Sequence, residues 1–261
     1  MIQRIQSVVI IGSGNVAAVL GKLIARAGYK LLQVVGRNIA STEQTASMLN
    51  TVAVTDINKI NPDADLYLIA VQDSFVKIVA DTLKVPEDKI VVHTTGSISI
   101  EILKEHKNYG VLYPLQSLRK ETIQLPQLPL FVEGSSENVT HTLLQFAQTL
   151  SPIVHRANDE QRIKLHIGAV IVSNFTNYLY ALAHQFCKEE DLDFHALLPL
   201  MEETVNRLHT YNPEEMQTGP AVRGDIVTVE KHINLLKEYP ELAKTYRFLS
   251  EEIIKNKKSR S

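Results

Sequence analysis

The segment VVIIGSGNVA (residues 8–17) places Gly12, Gly14 and Ala17 in a Gly-x-Gly-x-x-Ala array directly after an apolar run. That spacing suits a nucleotide pyrophosphate. Gly12 permits a tight turn, Gly14 has no Cβ to keep a phosphate from the backbone, and Ala17 is small enough for a helix to pack on its strand. Ser13, Asn15 and Val16 complete the loop. Its amide N–H groups open the following helix and, with the helix dipole, attract an anion. A glycine turn that holds no ligand is the plain alternative.

The choice of dinucleotide rests on the end of the next strand. NAD calls for a carboxylate about 20 residues further on, to bind the ribose 2′-hydroxyl. Here the segment reads Gly36-Arg37-Asn38-Ile39-Ala40-Ser41-Thr42, and no acid comes before Glu43. Arg37 suits a 2′-phosphate and can stack on adenine, and Ser41 adds a hydroxyl, so NADP is favoured over NAD. The bland alternative makes Arg37 a surface residue and Ser41 the cap of a capping box with Gln44. Two later strand ends would face the same crevice: Val71 and Gln72 in AVQDS (70–74), and His93 and Thr94 in HTTGS (93–97). Ligands of open parallel sheets sit beyond the carboxyl ends of the strands. His93 is also read as an imidazole bonded to its own strand end.

A second polar array lies in KLHIGAVIVSNFTNYLYALAH (164–184). At 100° per residue His166, Ser173 and Asn177 fall within about 20° of one direction, with Asn174 about 80° away. A polar stripe on so apolar a helix must find partners: a bound polar substrate, or water or a neighbouring helix. TGPAVRGD (218–225) adds Arg223, whose guanidinium fork suits a substrate carboxylate. Asp225 behind it can cap a helix. Pairing of Arg223 with Asp225 to fix the loop is the alternative.

These positions need rigid elements to hold them. Apolar, β-branched runs at 7–11, 31–36, 52–54, 65–71, 89–94, 110–114, 129–134 and 152–155 read as strands. Helical patterns lie between several of them, such as Val16, Val19, Leu20, Leu23 and Ile24, which Gly28 can end. Strands without in–out alternation imply a parallel sheet covered on both faces. After residue 156 the strand signals stop. One long helical pattern covers 159–190, and shorter ones cover 195–209, 224–237 and 240–255. The expected fold is α/β: a doubly wound (Rossmann) domain over 1–155, followed by an all-α domain over 156–261.

Apolar residues make up 44% of the 261, enough for real cores. The net charge of −2, with Lys and Arg scattered apart from the KNKKSR tail, makes no case for nucleic acid or an anionic membrane. The single cysteine, Cys187, excludes an internal disulfide and a structural zinc site, and no metal is expected. Cys187 itself reads as a buried small residue. No stretch reaches 18 apolar residues and no signal pattern opens the chain, so a cytoplasmic location is expected.

Taken in order, the glycine loop, HTTGS, YPLQS (113–117), HIGAVIVSNFTNYL (166–179) and TGPAVRGD resemble Rossmann-like proteins with a C-terminal DUF2520 domain, over nearly the whole chain. The layout is similar to that of pyrroline-5-carboxylate reductases, ketopantoate reductases and β-hydroxyacid dehydrogenases. The resemblance implies an NADP-binding N-terminal domain, a 6-phosphogluconate-dehydrogenase-like helical C-terminal domain, and a homodimer formed through those helices. β-Hydroxyacid dehydrogenases and ketopantoate reductases resemble each other in a Lys-x-x-x-Asn pair on the first long helix. Here Asn174 fits the asparagine, and Val170 stands at the lysine. His166, one turn earlier, is the substitute proton donor, because imidazole titrates near neutral pH and can protonate a carbonyl oxygen. The expectation is an NADPH-dependent reductase of a small carboxylate-bearing ketone or imine. In it His166 is the general acid, Ser173 and Asn174 orient the substrate, and Arg223 anchors its carboxylate. The missing lysine also fits a non-catalytic, redox-responsive NADP-binding module.

Overall fold

The computed structural model describes residues 4–122 and 127–258, so residues 259–261 of the basic tail lie outside the description. The chain divides into two compact units, Met1–Ser173 and Asn174–Ser261. The first is built on one sheet. Its strands are β1 (Ser7–Ile11), β2 (Lys30–Val35), β3 (Val52–Val54), β4 (Leu66–Ile69), β5 (Ile90–His93), β6 (Asn108–Pro114), β7 (Leu130–Gly134) and β8 (Val154–Arg156). They lie in the order β3-β2-β1-β4-β5-β6-β7-β8. The chain winds outward from β1 in one direction and from β4 in the other. The crevice of the doubly wound fold therefore opens beyond the carboxyl ends of these two strands.

Period-2 geometry splits each apolar run between two cores. Val8 and Ile10 pack on one face with helices α1 (Asn15–Arg26) and α4 (Glu137–Leu150), while Val9 and Ile11 join Tyr67, Ile69 and Ala80 on the other. This double burial is why the strands read as unbroken apolar runs. Beyond Gly28 (φ +87) α1 gives way to β2, and a left-handed residue there suits a helix end. One pair departs from the parallel pattern. β7 runs antiparallel to β6, with Leu112 opposite Val132, and the described part of the connection between them contains no crossover helix.

Two local expectations are corrected. Helix α2 (Ile39–Met48) is capped by Asn38, whose side chain accepts from the Ser41 N–H at 2.9 Å, so Ser41 and Gln44 form no capping box. Asn38 has the extended backbone a cap requires (φ −91°, ψ 112°), and Ser41 is already inside the helix. The long helix expected over 159–190 is interrupted. It consists of α5 (Asp159–Ala169), a π-helical turn at Val170–Phe175, and α6 (Thr176–Glu189). A wheel with a uniform 100° step therefore does not apply across Val170–Phe175.

The remaining helices are α3 (Asp73–Thr82) in the first unit and α7 (Leu198–Arg207), α8 (Pro220–Arg223), α9 (Ile226–Leu235) and α10 (Pro240–Lys258) in the second. Among the described residues none is long and apolar enough to cross a membrane. The helical unit buries few apolar side chains, among them Cys187, Val229, Ile233 and Leu236, and leaves many large ones in solvent.

Two of the buried polar groups in the sheet unit, Arg162 and His93, stand close to the crevice. Arg162 on α5 is 1% exposed. Its guanidinium donates to Glu133 Oε2 on β7 and to the Ile98 carbonyl, each at 2.7 Å, and to Asp159 Oδ1. Burial pushes the Glu133 carboxyl up by more than Arg162 pulls it down. Burial also raises Asp159, yet hydrogen bonds from Ser99, the Ile100 N–H and Arg162 hold it below the usual carboxylate range. His93 at the end of β5 has no exposed surface. Its Nδ1 lies 3.3 Å from both the Thr95 N–H and hydroxyl, and its Nε2 has no partner within the protein. Burial, then the charge of Arg162, lowers the His93 imidazole to about 4 from an ordinary 6.5.

A histidine held neutral in this way has a pH signature. Its folded pKa lies below its unfolded one, so between the two values the unfolded chain binds the extra proton. The stability that neutrality contributes is complete above pH 6.5 and is lost as pH falls toward 4. The interval corresponds to about 3 kcal/mol. Urea unfolding at neutral pH and near pH 4 is expected to show a loss larger by roughly that amount in the wild type than in His93→Asn. Parallel losses in the two proteins would mean that His93 is not held neutral.

Candidate functional site

The site is built where β1, β4, β5 and β6 end. Gly12 leaves β1 at φ +130, in the region L side chains rarely adopt, and a Cβ there would fall 2.1 Å from the Ala70 carbonyl oxygen. Only glycine fits this turn. Gly14 is different: its backbone is extended (φ −85°, ψ −170°), and a Cβ there meets nothing within 4 Å. It caps α1 with no side-chain hydrogen bond, and the helix opens with exposed Asn15 and half-buried Val16, whose amides have no partner one turn earlier within the helix. That combination of a close-packed first glycine and an open second one is a cradle for an anion.

The end of β2 borders the cradle. Arg37 is exposed, and its guanidinium lies over the Phe75 ring, 3.9 Å from the centroid. The contact holds the cation flat against an aromatic face. Ser41 joins this region from α2, its hydroxyl 2.8 Å from that of Ser13, while Thr45 donates to the Ser13 carbonyl at 3.1 Å. The glycine loop and the start of α2 are thus tied into one surface. Gly36 allows the approach, since a Cβ there would meet Thr42 Oγ1 at 2.4 Å.

Val71 is half-buried after β4, and Gln72 is the exposed N-cap of α3. Thr94 is buried and donates its hydroxyl to the Ile69 carbonyl at 3.3 Å. Fully buried His93 has no surface with which to touch a ligand, and it shapes the turn after β5 through Thr95. Across this turn His166 on α5 is half-buried, with its Nδ1 3.0 Å from the Tyr113 hydroxyl on β6. Ser173 is half-buried in the π-helical turn. Lys164, the other base on α5, is paired with Glu160 at the surface.

In the helical unit, Asn174 is exposed within the same π-helical turn and Arg223 is exposed at the end of α8. Gly224 follows at φ +75, and Asp225 then caps α9, its two oxygens accepting from the Thr228 N–H (3.1 Å) and hydroxyl (2.7 Å). The cap expected of Asp225 is present. Its carboxylate is engaged by Thr228, and the charge of Arg223 also helps hold it below the usual carboxylate range.

Two side chains join the site without having been singled out in the sequence. Tyr113 is one. Lys120 is the other: its backbone N–H donates to Asn15 Oδ1 at 3.2 Å and its ammonium to Gln44 Oε1 at 2.8 Å. Lys22 donates to the Lys120 carbonyl at 2.7 Å and holds the loop down. A cation therefore sits between the starts of α1 and α2. Among the described residues no group of three or more His, Cys, Asp or Glu side chains could hold a metal ion.

The sequence matches a Rossmann-like domain over residues 1–116 and a domain of unknown function, DUF2520, over residues 128–253. No curated protein matches it. Among solved structures, the "putative NADP oxidoreductase" BF3122 from Bacteroides fragilis is 36% identical, with a TM-score of 0.90 over 96% of this chain and 98% of that one. The imine reductase from Myxococcus stipitatus in complex with NADP+ shares the fold at 15% identity and a TM-score of 0.69, over 96% and 94% of the two chains. The reductive aminase from Aspergillus terreus in complex with NADPH and ethyl-5-oxohexanoate shares it at 13% and 0.71, over 97% and 94%. With both domains matched in order, and a relative this similar along its whole length, the chain belongs to the family in which a Rossmann-like domain precedes a DUF2520 domain.

Proposed function

We propose that the chain is an NADP(H)-dependent oxidoreductase that reduces a small carboxylate-bearing ketone or imine. The observation that carries this reading is the cradle at Gly14, with Arg37 where an NAD site would carry an acid. The residues present fit the dinucleotide. The amides of Ser13, Gly14, Asn15 and Val16 suit its pyrophosphate, and Arg37 and Ser41 suit its 2′-phosphate. Lys120 adds charge beside both, and Val71, Gln72 and the turn at His93 and Thr94 form the wall further along the crevice. The name of the Bacteroides fragilis relative, and the NADP+ and NADPH in the two more distant structures, support the same cofactor.

When bound, the reduced cofactor supplies a hydride to the substrate carbon. The chain's own part is position and charge. His166 donates a proton to the substrate oxygen or nitrogen, and Ser173 and Asn174 orient that group. Arg223 holds the substrate carboxylate through its planar fork.

The helical unit supports a homodimer. Val227 (82% exposed), Leu200, Leu235, Phe248 and Tyr211 all face solvent, while the apolar residues it buries are few and mostly small or medium-sized. Burial on that scale does not offset the ordering entropy of five helices. A second copy would cover these side chains through a self-complementary patch.

Four tests bear on these statements. Gly14→Val, whose Cβ meets nothing within 4 Å, is expected to keep the wild-type Tm and lose NADPH affinity in calorimetry. Arg37→Ala is expected to weaken NADPH by about 10- to 100-fold, the worth of a charge-assisted hydrogen bond, and NADH little. Unchanged NADPH binding in Gly14→Val removes the cradle, and equal losses for both cofactors in Arg37→Ala remove the 2′-phosphate assignment. With a panel of keto acids and cyclic imines followed at the nicotinamide absorbance, His166→Ala is expected to lower kcat at least about tenfold. Tight NADPH binding without turnover on any member would favour the redox-responsive module instead. In light scattering the wild type is expected as a dimer and the double variant Leu200→Glu, Val227→Glu as a monomer.

A further inference from the structure

The Tyr113–His166 pair has more content than a single contact. The hydroxyl of Tyr113 lies 3.0 Å from His166 Nδ1, and the two rings meet edge to face at 6.1 Å. They come from β6 and α5, 53 residues apart. Gly96, in the turn after β5, makes room for them. A Cβ there would fall 2.8 Å from Tyr113 Cζ, 2.9 Å from its hydroxyl oxygen and 3.0 Å from His166 Cγ. One turn before His166, the guanidinium of Arg162 is clamped to β7, to the Ile98 carbonyl and to Asp159, which fixes the rotation of α5. Both the helix and the ring edge are therefore held.

We propose that Tyr113 is a positioning residue for His166: its hydroxyl engages Nδ1 and leaves Nε2–H as the face of the imidazole turned toward substrate. This rests on the reading of His166 as the proton donor. A phenol can serve Nδ1 in either protonation state of the ring. It donates to Nδ1 when the resting imidazole is neutral and accepts the Nδ1–H when the ring is charged or has just given up its Nε2 proton, so before each transfer Nε2 carries a hydrogen. Tyr113 is buried, and burial raises its pKa, which keeps it a phenol throughout. Bound NADPH would supply the hydride, and the proton is the chain's own part. The Nε2–H bond of the imidazolium breaks as the substrate O–H or N–H bond forms. The ring is left neutral with its remaining proton on Nδ1 against the Tyr113 oxygen, and solvent returns a proton to Nε2.

The test needs no substrate in its first arm. Nitrogen-15 spectra of histidine-labelled protein at alkaline pH report which ring nitrogen of His166 is protonated. The wild type is expected as the Nε2–H form alone, and Tyr113→Phe, which keeps the ring in the core, as a mixture of both tautomers. Gly96→Ala, which forces the pair apart while retaining the hydroxyl, is expected to give the same mixture. Identical tautomer populations in all three proteins overturn the proposal. In the second arm Tyr113→Phe is expected to lower kcat about tenfold or more with KM within about twofold of wild type. Loss of activity in His166→Ala with full kcat in Tyr113→Phe defeats the positioning role and leaves the donor standing. Full activity in His166→Ala defeats the donor itself.

Discussion

The close approach of Gly12 to the carbonyl of Ala70 is the constraint on which the rest of the crevice depends. At φ +130 and with 2.1 Å between a hypothetical Cβ and that oxygen, the backbone of β1 turns where no other residue would let it. Because it turns there, α1 starts directly above the divergence of β1 and β4, and its first amides have no partner within the helix. A looser turn would carry the helix start away from the switch point and leave its orphan donors to water. The two glycines of the loop therefore act differently. The first makes the geometry possible, and the second keeps the resulting space open.

The far side of the same crevice is held by charge. Arg162 brings together β7, the turn after β5 and the first turn of α5 through three acceptors. A guanidinium removed from water is expensive unless its donors are matched, and loss of one partner in such a cluster leaves an uncompensated buried charge worth about 3–5 kcal/mol. The opposed shifts of Glu133, raised, and Asp159, lowered, reflect how differently the two acids are compensated by neighbouring donors. The same positive charge adds to burial in keeping His93 neutral. A rigid, charged anchor and a neutral, buried imidazole thus flank the pair that carries His166. Of these two histidines, His166 keeps some exposed surface and His93 has none.

The helical unit follows a different logic. The sheet unit places its apolar runs in two continuous cores. The helical one carries comparable residues, yet Leu200, Val227, Leu235 and Phe248 stay in water. Its helices bury little of their apolar faces within the chain.

What could be read from the sequence divides along sequence separation. Strands, helices and the glycine loop are local patterns, and all eight strand runs appear within a few residues of where their composition places them. The features that escaped are of two kinds. Some are local contests between equivalent residues: Asn38 and Ser41 are both good caps three positions apart, and only the backbone angle decides for Asn38. The π-helical turn at Val170–Phe175 belongs here too, since no residue type announces an i→i+5 bond. Others are long-range encounters. Tyr113 meets His166 across 53 residues, Arg162 meets Glu133 across 29, and Lys120 meets Asn15 across 105. No spacing rule reaches that far, because these meetings are set by the sheet order and by the reversal of β7. YPLQS begins within the strand run at 110–114, and nothing local singles out its tyrosine. In the folded chain its tyrosine ends beside the imidazole, because β6 is the neighbour of β5 and α5 crosses above the turn that Gly96 keeps narrow. The chemistry that a glycine loop advertises is thus completed by side chains whose importance only the topology creates.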